Sequence, residues 1–149
     1  MENTIEIVLI EDNLFEAELA IKALEKNNLA NRLLHIDDGE EALQFIFCKG
    51  KYKNRNCIQP KLILLDLKLP KVDGLQILKE IKSDPATKSI PVVILTSSQE
   101  ERDIVESYQL GANSYLVKPV NFESFAKAIA DLGFYWLLLN QTEVKSTNF

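Results

Sequence analysis

The sequence has few of the nitrogen and sulfur ligands that zinc centres use. It contains one histidine, His35, and two cysteines, Cys48 and Cys57, which lie nine positions apart and form no Cys-x-x-Cys motif. A structural zinc site needs four such ligands, so this composition excludes a zinc site of that kind. Because no cysteine pattern indicates a disulfide framework either, we expect both cysteines to be reduced thiols.

Long apolar runs and a targeting segment are also missing. No stretch approaches the roughly 18 consecutive apolar residues that mark a transmembrane helix. The N-terminus runs into the strand-like segment IEIVLI without the cleavage pattern of a signal peptide. We therefore expect a cytoplasmic protein with no membrane partner.

Positive charge is scarce for a nucleic-acid-binding protein. The 149 residues include 17 Lys and Arg against 22 Asp and Glu, which gives a net charge of −5. Binding to a phosphate backbone needs a basic face, and we interpret the nearest candidate, KGKYKNR at residues 49–55, as a solvated loop. We therefore expect no nucleic-acid partner, and a chain of this length is most simply one globular domain.

The most informative stretch is KLILLDLKLPKVDG at residues 61–74. The apolar run at residues 62–65 is too short for a helix and predicts a strand covered on both faces in a parallel sheet. The run stops at Asp66, and ligands of open α/β sheets bind outside the carboxyl ends of the strands. Taken alone, an aspartate at such a place is also typical of a turn or a helix cap.

The rest of the chain repeats this pattern of strand followed by helix. We predict further strands at residues 5–10, 32–36, 91–95 and 114–117, and helices at residues 14–26, 40–47, 75–83, 100–110 and from 122 onward. Residues 97–101, SSQEE, resemble a capping box at the start of the fourth helix. Five alternating pairs predict an α/β fold, a doubly wound parallel sheet with helices on both faces.

Polar or charged side chains follow four of these strands. Glu11 and Asp12 follow the first strand, Asp66 the third, Thr96 the fourth and Lys118 the fifth. Because parallel strands end at the same edge, we expect these side chains to share a small volume. Apposed carboxylates repel one another, which either raises the pKa of one of them or demands a counter-ion. Oxygen ligands of this kind suit Mg²⁺ and phosphate chemistry.

Over residues 6–132 the sequence resembles a response-regulator receiver domain. The resemblance is carried, in order, by the acidic pair Glu11/Asp12, the segment LLDLKLPKVDG, Thr96 at a strand end, Tyr115, and Lys118-Pro119. It implies a flavodoxin-like, five-stranded sheet of order 2-1-3-4-5. The end of the chain is similar to the small receivers that serve bacterial phytochrome histidine kinases, which implies such a kinase as partner.

The resemblance also implies a reaction and a metal ion. Asp66 would accept a phosphoryl group from a histidine kinase and form an acyl phosphate. Asp12, Asp66 and the backbone carbonyl of Lys68 would hold Mg²⁺ or Mn²⁺, with Glu11 helping through water.

The resemblance also implies residues that bind the phosphoryl group and residues that change position when it is present. Thr96 and Lys118 would bind phosphoryl oxygens. Thr96 and Tyr115 would then form the switch that carries the signal to other proteins.

Each of these residues also has an ordinary structural interpretation. The two acids could favour a helix N-terminus, Thr96 could be a cap, Tyr115 a strand aromatic and Lys118 a surface charge. Two alternative functions stay open: a receiver that binds without being phosphorylated, and, less favoured, an aspartyl phosphatase. The phosphatase is disfavoured because Leu67 and Lys68 follow Asp66 where that class has a second acid, so we expect no enzyme acting on an external substrate.

Leu14 and Phe15 place apolar bulk beside the acidic pair, where many receivers have polar or small residues. They form either a contact surface or part of the packing of the first helix. Lys68 and Ser98 stand two positions after Asp66 and Thr96, where relatives tune the lifetime of the phosphoryl group.

The end of the chain is more apolar than one helix face can hide. We predict a receiver domain at residues 1–132 and an extension of the last helix with a tail at residues 133–149. The extension begins GFYWLLL, and large apolar patches of this kind mark protein contacts. We predict a homodimer, with a tail folded back on its own domain as the alternative; the predicted contact residues are Phe122, Phe134, Tyr135, Trp136 and Leu138.

The homodimer predicts a concentration-dependent sedimentation coefficient. Replacing Trp136 and Leu138 by glutamate should shift the protein to monomer, because charge is expensive in an apolar interface. Sedimentation velocity of the full chain at tens of micromolar, with and without a phosphodonor, measures both. A wild-type protein that stays monomeric in both conditions contradicts the dimer.

Overall fold

The structure is a computed structural model that describes residues 5–26, 32–119, 121, 123, 124 and 127. Its elements are β1 (Ile7–Ile10), α1 (Leu14–Lys26), β2 (Leu33–Ile36), α2 (Gly39–Ile46), a 3₁₀ turn (Gly50–Tyr52), β3 (Leu62–Leu65), α3 (Gly74–Ser83), β4 (Val92–Thr96), α4 (Glu101–Gln109) and β5 (Ser114–Val117). Each predicted boundary within these residues lies within two positions of the observed one. The five predicted dimer residues lie outside the described residues.

The five strands form one parallel sheet of order β2-β1-β3-β4-β5, as expected. Leu9 pairs with His35 on one side and with Leu64 on the other, and Leu65 pairs with Ile94. The strand ends are therefore level along one edge. That edge carries the loops that begin with Glu11, Asp66 and the residue after Thr96.

The sheet is buried on both faces because side chains alternate along its central strands. One face, with Val8, Ile10, Ile63 and Leu65, packs against apolar residues of α2 and α3, including Phe45, Ile46, Ile77 and Leu78. The other face, with Ile7, Leu9, Leu62 and Leu64, packs against Ala17, Ala20 and Leu24 of α1. Each fully buried Leu or Ile contributes about 1.5–3 kcal/mol, so the central strands that carry the loops are strongly stabilised by burial.

The predicted capping box before α4 is wrong. The residue before the helix is Glu100, and its side chain makes no capping hydrogen bond. The Ser98 hydroxyl instead donates to the carboxylate of Asp103 at 2.6 Å, inside the first turn. The same hydroxyl oxygen accepts from Glu100 N–H at 3.3 Å. Ser98 therefore ties the loop after β4 both to a side chain of the first turn and to the N–H of the residue before the helix.

The prediction of two reduced thiols is also wrong, because Cys48 and Cys57 form a disulfide. The turn Gly50–Tyr52 folds the chain back after α2 and brings the two Cα atoms to 6.0 Å, within the range that a disulfide spans. Arg55 supports this loop by lying 3.9 Å over the ring of Phe45. The spacing of two cysteines does not reveal such a turn, so sequence reasoning missed the pair.

Within the described part of the chain, no helix is long and apolar enough to cross a membrane.

Reduction of the Cys48–Cys57 disulfide should lower the free energy of unfolding by up to about 2–3 kcal/mol, because a closed loop of this length loses entropy in the unfolded chain. Urea unfolding with and without a phosphine reductant measures the difference. The double variant Cys48→Ser/Cys57→Ser is the matched control and should not respond to the reductant. An identical midpoint for the wild-type protein in both conditions contradicts the prediction.

Candidate metal and phosphoryl site

The structure brings the predicted side chains together at the carboxyl edge of the sheet. Backbone hydrogen bonds continue the sheet past the strand ends: Glu11 N–H donates to Ile36 at 3.1 Å and Asp66 N–H donates to Ile10 at 3.0 Å. The N–H of Lys118 donates to the carbonyl of Thr96 at 2.8 Å. The positions of the acids and of the lysine are therefore set by the sheet itself.

Three carboxylates form the acidic part of the site. One oxygen each of Glu11, Asp12 and Asp66 lies within 4.8 Å of the other two. Glu11 and Asp66 are buried, at 3% and 5% exposure, whereas Asp12 is open to solvent. Burial raises the pKa of Glu11, in spite of its hydrogen bond with Lys118. Three oxygens with one side open to water suit a hard divalent cation that keeps some of its waters.

Lys118 supplies the positive charge of the site. Its side chain is 11% exposed, and its ammonium contacts carboxylate oxygens of Glu11, of Glu16 at 2.5 Å and of Asp66 at 3.3 Å. Burial alone would lower the pKa of Lys118, but the hydrogen bonds to the two glutamates, with the charge of Asp66, outweigh burial and raise it. The Lys118-Pro119 peptide bond is cis.

Glu16 was not predicted as a site residue. It comes from the first turn of α1 rather than from a strand end, so the rule that strand ends converge does not find it. Its spacing three residues after Asn13 is the only sequence signal, and that spacing indicates a helix cap rather than a partner for Lys118.

A second network lies on the other side of Asp66. The buried carboxylate of Asp103, on α4, accepts from the Ser98 hydroxyl at 2.6 Å and pairs with the Lys68 ammonium at 3.4 Å. Ser98 N–H donates to the Thr96 hydroxyl oxygen at 3.3 Å, and Tyr115 O–H donates to the Ser98 carbonyl at 3.0 Å. Thr96 and Tyr115, the two predicted switch residues, are thus both bonded to one residue, Ser98.

The backbone of the acidic residues has two supports that sequence reasoning missed. The His35 ring donates through Nε2 to the carbonyl of Glu11 at 2.7 Å. Gly74 packs so closely on the backbone of Asp66 and Leu67 that a Cβ there would collide with both. Side chains larger than hydrogen at residue 74 would therefore displace the loop that carries Asp66.

Leu14 and Phe15, the apolar residues that follow Asn13, do not help to pack the first helix against the sheet. Leu14 and Phe15 are 65% and 69% exposed, and Leu19 of the same helix is 47% exposed. Phe15 and Leu19 line a groove of about 220 Å³ that is also lined by Glu16 and Lys118. Of the two interpretations, the exposure favours a contact surface beside the site.

Comparison with known proteins agrees with this geometry. The sequence matches the response regulator receiver domain over residues 7–130. Response regulator Rcp1 of Synechocystis sp. is 40% identical over 131 residues, covering 88% of each chain. The crystal structure of its Mn²⁺-bound form has a TM-score of 0.73 at 39% identity and covers 90% of this chain and 95% of that chain.

Two further solved structures are similar over nearly the whole chain. The bacteriophytochrome response regulator AtBRR has a TM-score of 0.82 at 51% identity, over 93% of this chain and 99% of that chain. The phosphorylated cyanobacterial phytochrome response regulator RcpA has a TM-score of 0.73 at 40% identity, over 89% of this chain and 93% of that chain.

The Ser98–Asp103–Lys68 network predicts that Asp103→Asn lowers the free energy of unfolding at neutral pH by about 1.5–3 kcal/mol, the value of hydrogen bonds to a buried charge. The hydrogen bond from Ser98, followed by the charge of Lys68, lowers the pKa of Asp103 in spite of burial. This stabilisation is therefore present above the unfolded pKa of about 3.9 and is lost as the pH falls through the lower folded pKa.

Urea unfolding of the wild-type protein and of Asp103→Asn, at neutral pH and in steps below about pH 4, measures both effects. Asp73→Asn is the control, because Asp73 is exposed and its side chain makes no capping hydrogen bond. A difference that stays constant down to the acid limit contradicts the assignment to the ionised Asp103.

Proposed function

The chain belongs to the response regulator receiver domain family, and from that premise we propose that Asp66 accepts a phosphoryl group from the phosphohistidine of a histidine kinase. The observation that carries the proposal is the place of Asp66. Its carboxylate is buried at the carboxyl edge of the sheet, beside two other acids, and lies 3.3 Å from the ammonium of Lys118. A buried carboxylate with an acidic cluster on one side and a cation on the other suits attack on phosphorus.

In the proposed transfer a carboxylate oxygen of Asp66 attacks phosphorus and forms a P–O bond. The P–N bond of the phosphohistidine breaks, and its electron pair returns to the imidazole, which takes up a proton from water. Lys118 pairs with one phosphoryl oxygen, and the Thr96 hydroxyl donates to another. The protein supplies position and electrostatics rather than a covalent step of its own, as is typical of phosphoryl transfer.

We propose that Asp12, Asp66 and the backbone carbonyl of Lys68 hold Mg²⁺ or Mn²⁺, with Glu11 helping through water. When bound, this cation neutralises the charge that develops on the phosphoryl oxygens. The oxygen cluster of Glu11, Asp12 and Asp66 supports the carboxylates of this set. The solved Mn²⁺-bound form of Rcp1 supports a divalent cation in a protein of this kind. The carbonyl of Lys68 is proposed from the family resemblance alone.

The proposed signal begins with the charge of about −1.5 to −2 that a phosphoryl group adds. Thr96 moves toward that charge, and the move pulls on Ser98, which Thr96 and Tyr115 both contact. Tyr115 then changes its position on the surface of α4 and β5. This is a local charge change acting on a hydrogen-bonded loop.

We propose a phytochrome histidine kinase as the phosphodonor, because AtBRR and RcpA are phytochrome response regulators by name.

The homodimer remains part of the proposal. Val105 and Tyr108 of α4 and Val117 of β5 are exposed apolar residues on the described surface, and they support output through protein contacts.

Incubation with acetyl phosphate and Mg²⁺ should add the mass of one phosphoryl group to the intact chain. Asp66→Asn should abolish the gain, because an amide is not a nucleophile of this kind, whereas Asp37→Asn, at an exposed aspartate, should keep it. Intact-protein mass spectrometry measures all three. No gain in the wild-type protein would favour the receiver that binds without phosphorylation, and steady release of phosphate from a phosphomonoester would favour the phosphatase.

A further inference from the structure

The ammonium of Lys118 has more carboxylate partners than the predicted site supplies. Its three contacts are Glu11, Asp66 and Glu16, so all three of its N–H groups have an acceptor. Glu11 and Asp66 also belong to the oxygen cluster that suits a cation. Glu16 stands outside that cluster and serves only Lys118 among the ion pairs of the described residues.

The sequence offers a different role for Glu16, and the hydrogen bonds argue against it. Asn13 and Glu16 have the spacing of a capping box, in which the glutamate accepts from the N–H of the cap residue. Asn13 does accept from Glu16 N–H at 2.9 Å, but Asn13 N–H donates to Glu11 at 3.1 Å. The Glu16 carboxylate is therefore not needed by the helix, and it lies 2.5 Å from the Lys118 ammonium instead.

We propose that Glu16 is a positioning residue. By pairing with Lys118, it limits how strongly that ammonium interacts with the carboxylates that hold the cation and with the phosphoryl oxygens. This inference rests on the proposed function. Lys118 competes with a divalent cation for Glu11 and Asp66, and Glu16 weakens that competition by neutralising Lys118. Glu16 also competes with phosphoryl oxygens for the same ammonium. It therefore strengthens cation binding and weakens the hold on the phosphoryl group.

The two effects have opposite signs, which separates this role from a structural one. Removing the charge of Glu16 leaves the positive charge of Lys118 less compensated. Mn²⁺ should therefore bind about three- to tenfold more weakly, a factor that matches the interaction energy of a partly exposed ion pair. The same change should make a phosphoryl analogue bind about three- to tenfold more tightly and slow the loss of the phosphoryl group by a similar factor. A general disturbance of the fold would weaken both.

The test compares the full-length wild-type chain with Glu16→Gln, because glutamine keeps the shape and the capping ability of glutamate and removes only the charge. Electron paramagnetic resonance measures free Mn²⁺ in a titration. Beryllofluoride affinity at saturating Mn²⁺ and the dephosphorylation rate after acetyl phosphate measure the other side. Glu18→Gln is the matched control, with the same charge change at an exposed position two residues along α1. Glu16→Asp restores the charge and should recover part of both effects.

Weaker Mn²⁺ binding together with tighter beryllofluoride binding, seen in Glu16→Gln and not in Glu18→Gln, supports the proposal. Unchanged Mn²⁺ affinity, or affinities that change in the same direction, overturns it. If the wild-type chain takes up neither phosphate nor beryllofluoride, the proposed function fails; the Mn²⁺ titration still decides whether Glu16 shields Lys118 from the cation ligands. Should Glu16→Gln unfold, Glu16→Asp against wild type carries the same comparison with smaller shifts.

Discussion

The whole site depends on one set of ion pairs, in which the nearly buried ammonium of Lys118 compensates the charge of buried carboxylates. Glu11 and Asp66 are almost completely removed from water and lie close together, an arrangement that like charges oppose. Lys118 contacts both carboxylates, and its positive charge compensates their repulsion. Because removing one member of a buried charge network leaves the charge of its partners less compensated, each of these residues supports the fold as well as the proposed chemistry.

Two hydrogen-bonded networks leave the Asp66 region in different directions. One runs through Lys118 to Glu16 on α1, beside the exposed side chains of Leu14 and Phe15. The other runs through Lys68 to Asp103 on α4 and through Ser98 to Tyr115. The arrangement places the ion pairs of Lys118 next to one surface and the loop after β4 next to another, so a partner on α1 and a partner on α4 would contact different parts of the proposed mechanism.

Most of the fold could be predicted from the sequence because apolar patterns are local. The run LILL in β3 has no polar residue to expose, so it must be a strand covered on both faces, and α1 was predicted with its observed bounds. The parallel topology then brought Glu11, Asp66, Thr96 and Lys118 to one edge. The capping box predicted before α4 was wrong because the Ser98 hydroxyl donates to the carboxylate of Asp103, and that contact depends on how the loop folds over the helix.

The sequence by itself determined the α/β architecture, the family resemblance and the acids and cation at the strand ends, because these follow from local periodicity and from the chain order of the strands. Only the tertiary structure decided the Cys48–Cys57 disulfide, the pairing of Glu16 with Lys118 and the burial of Asp103 between Ser98 and Lys68. Each of these contacts joins side chains whose distance depends on how loops and helices pack against the sheet. Neither residue spacing nor hydrophobic pattern contains that distance.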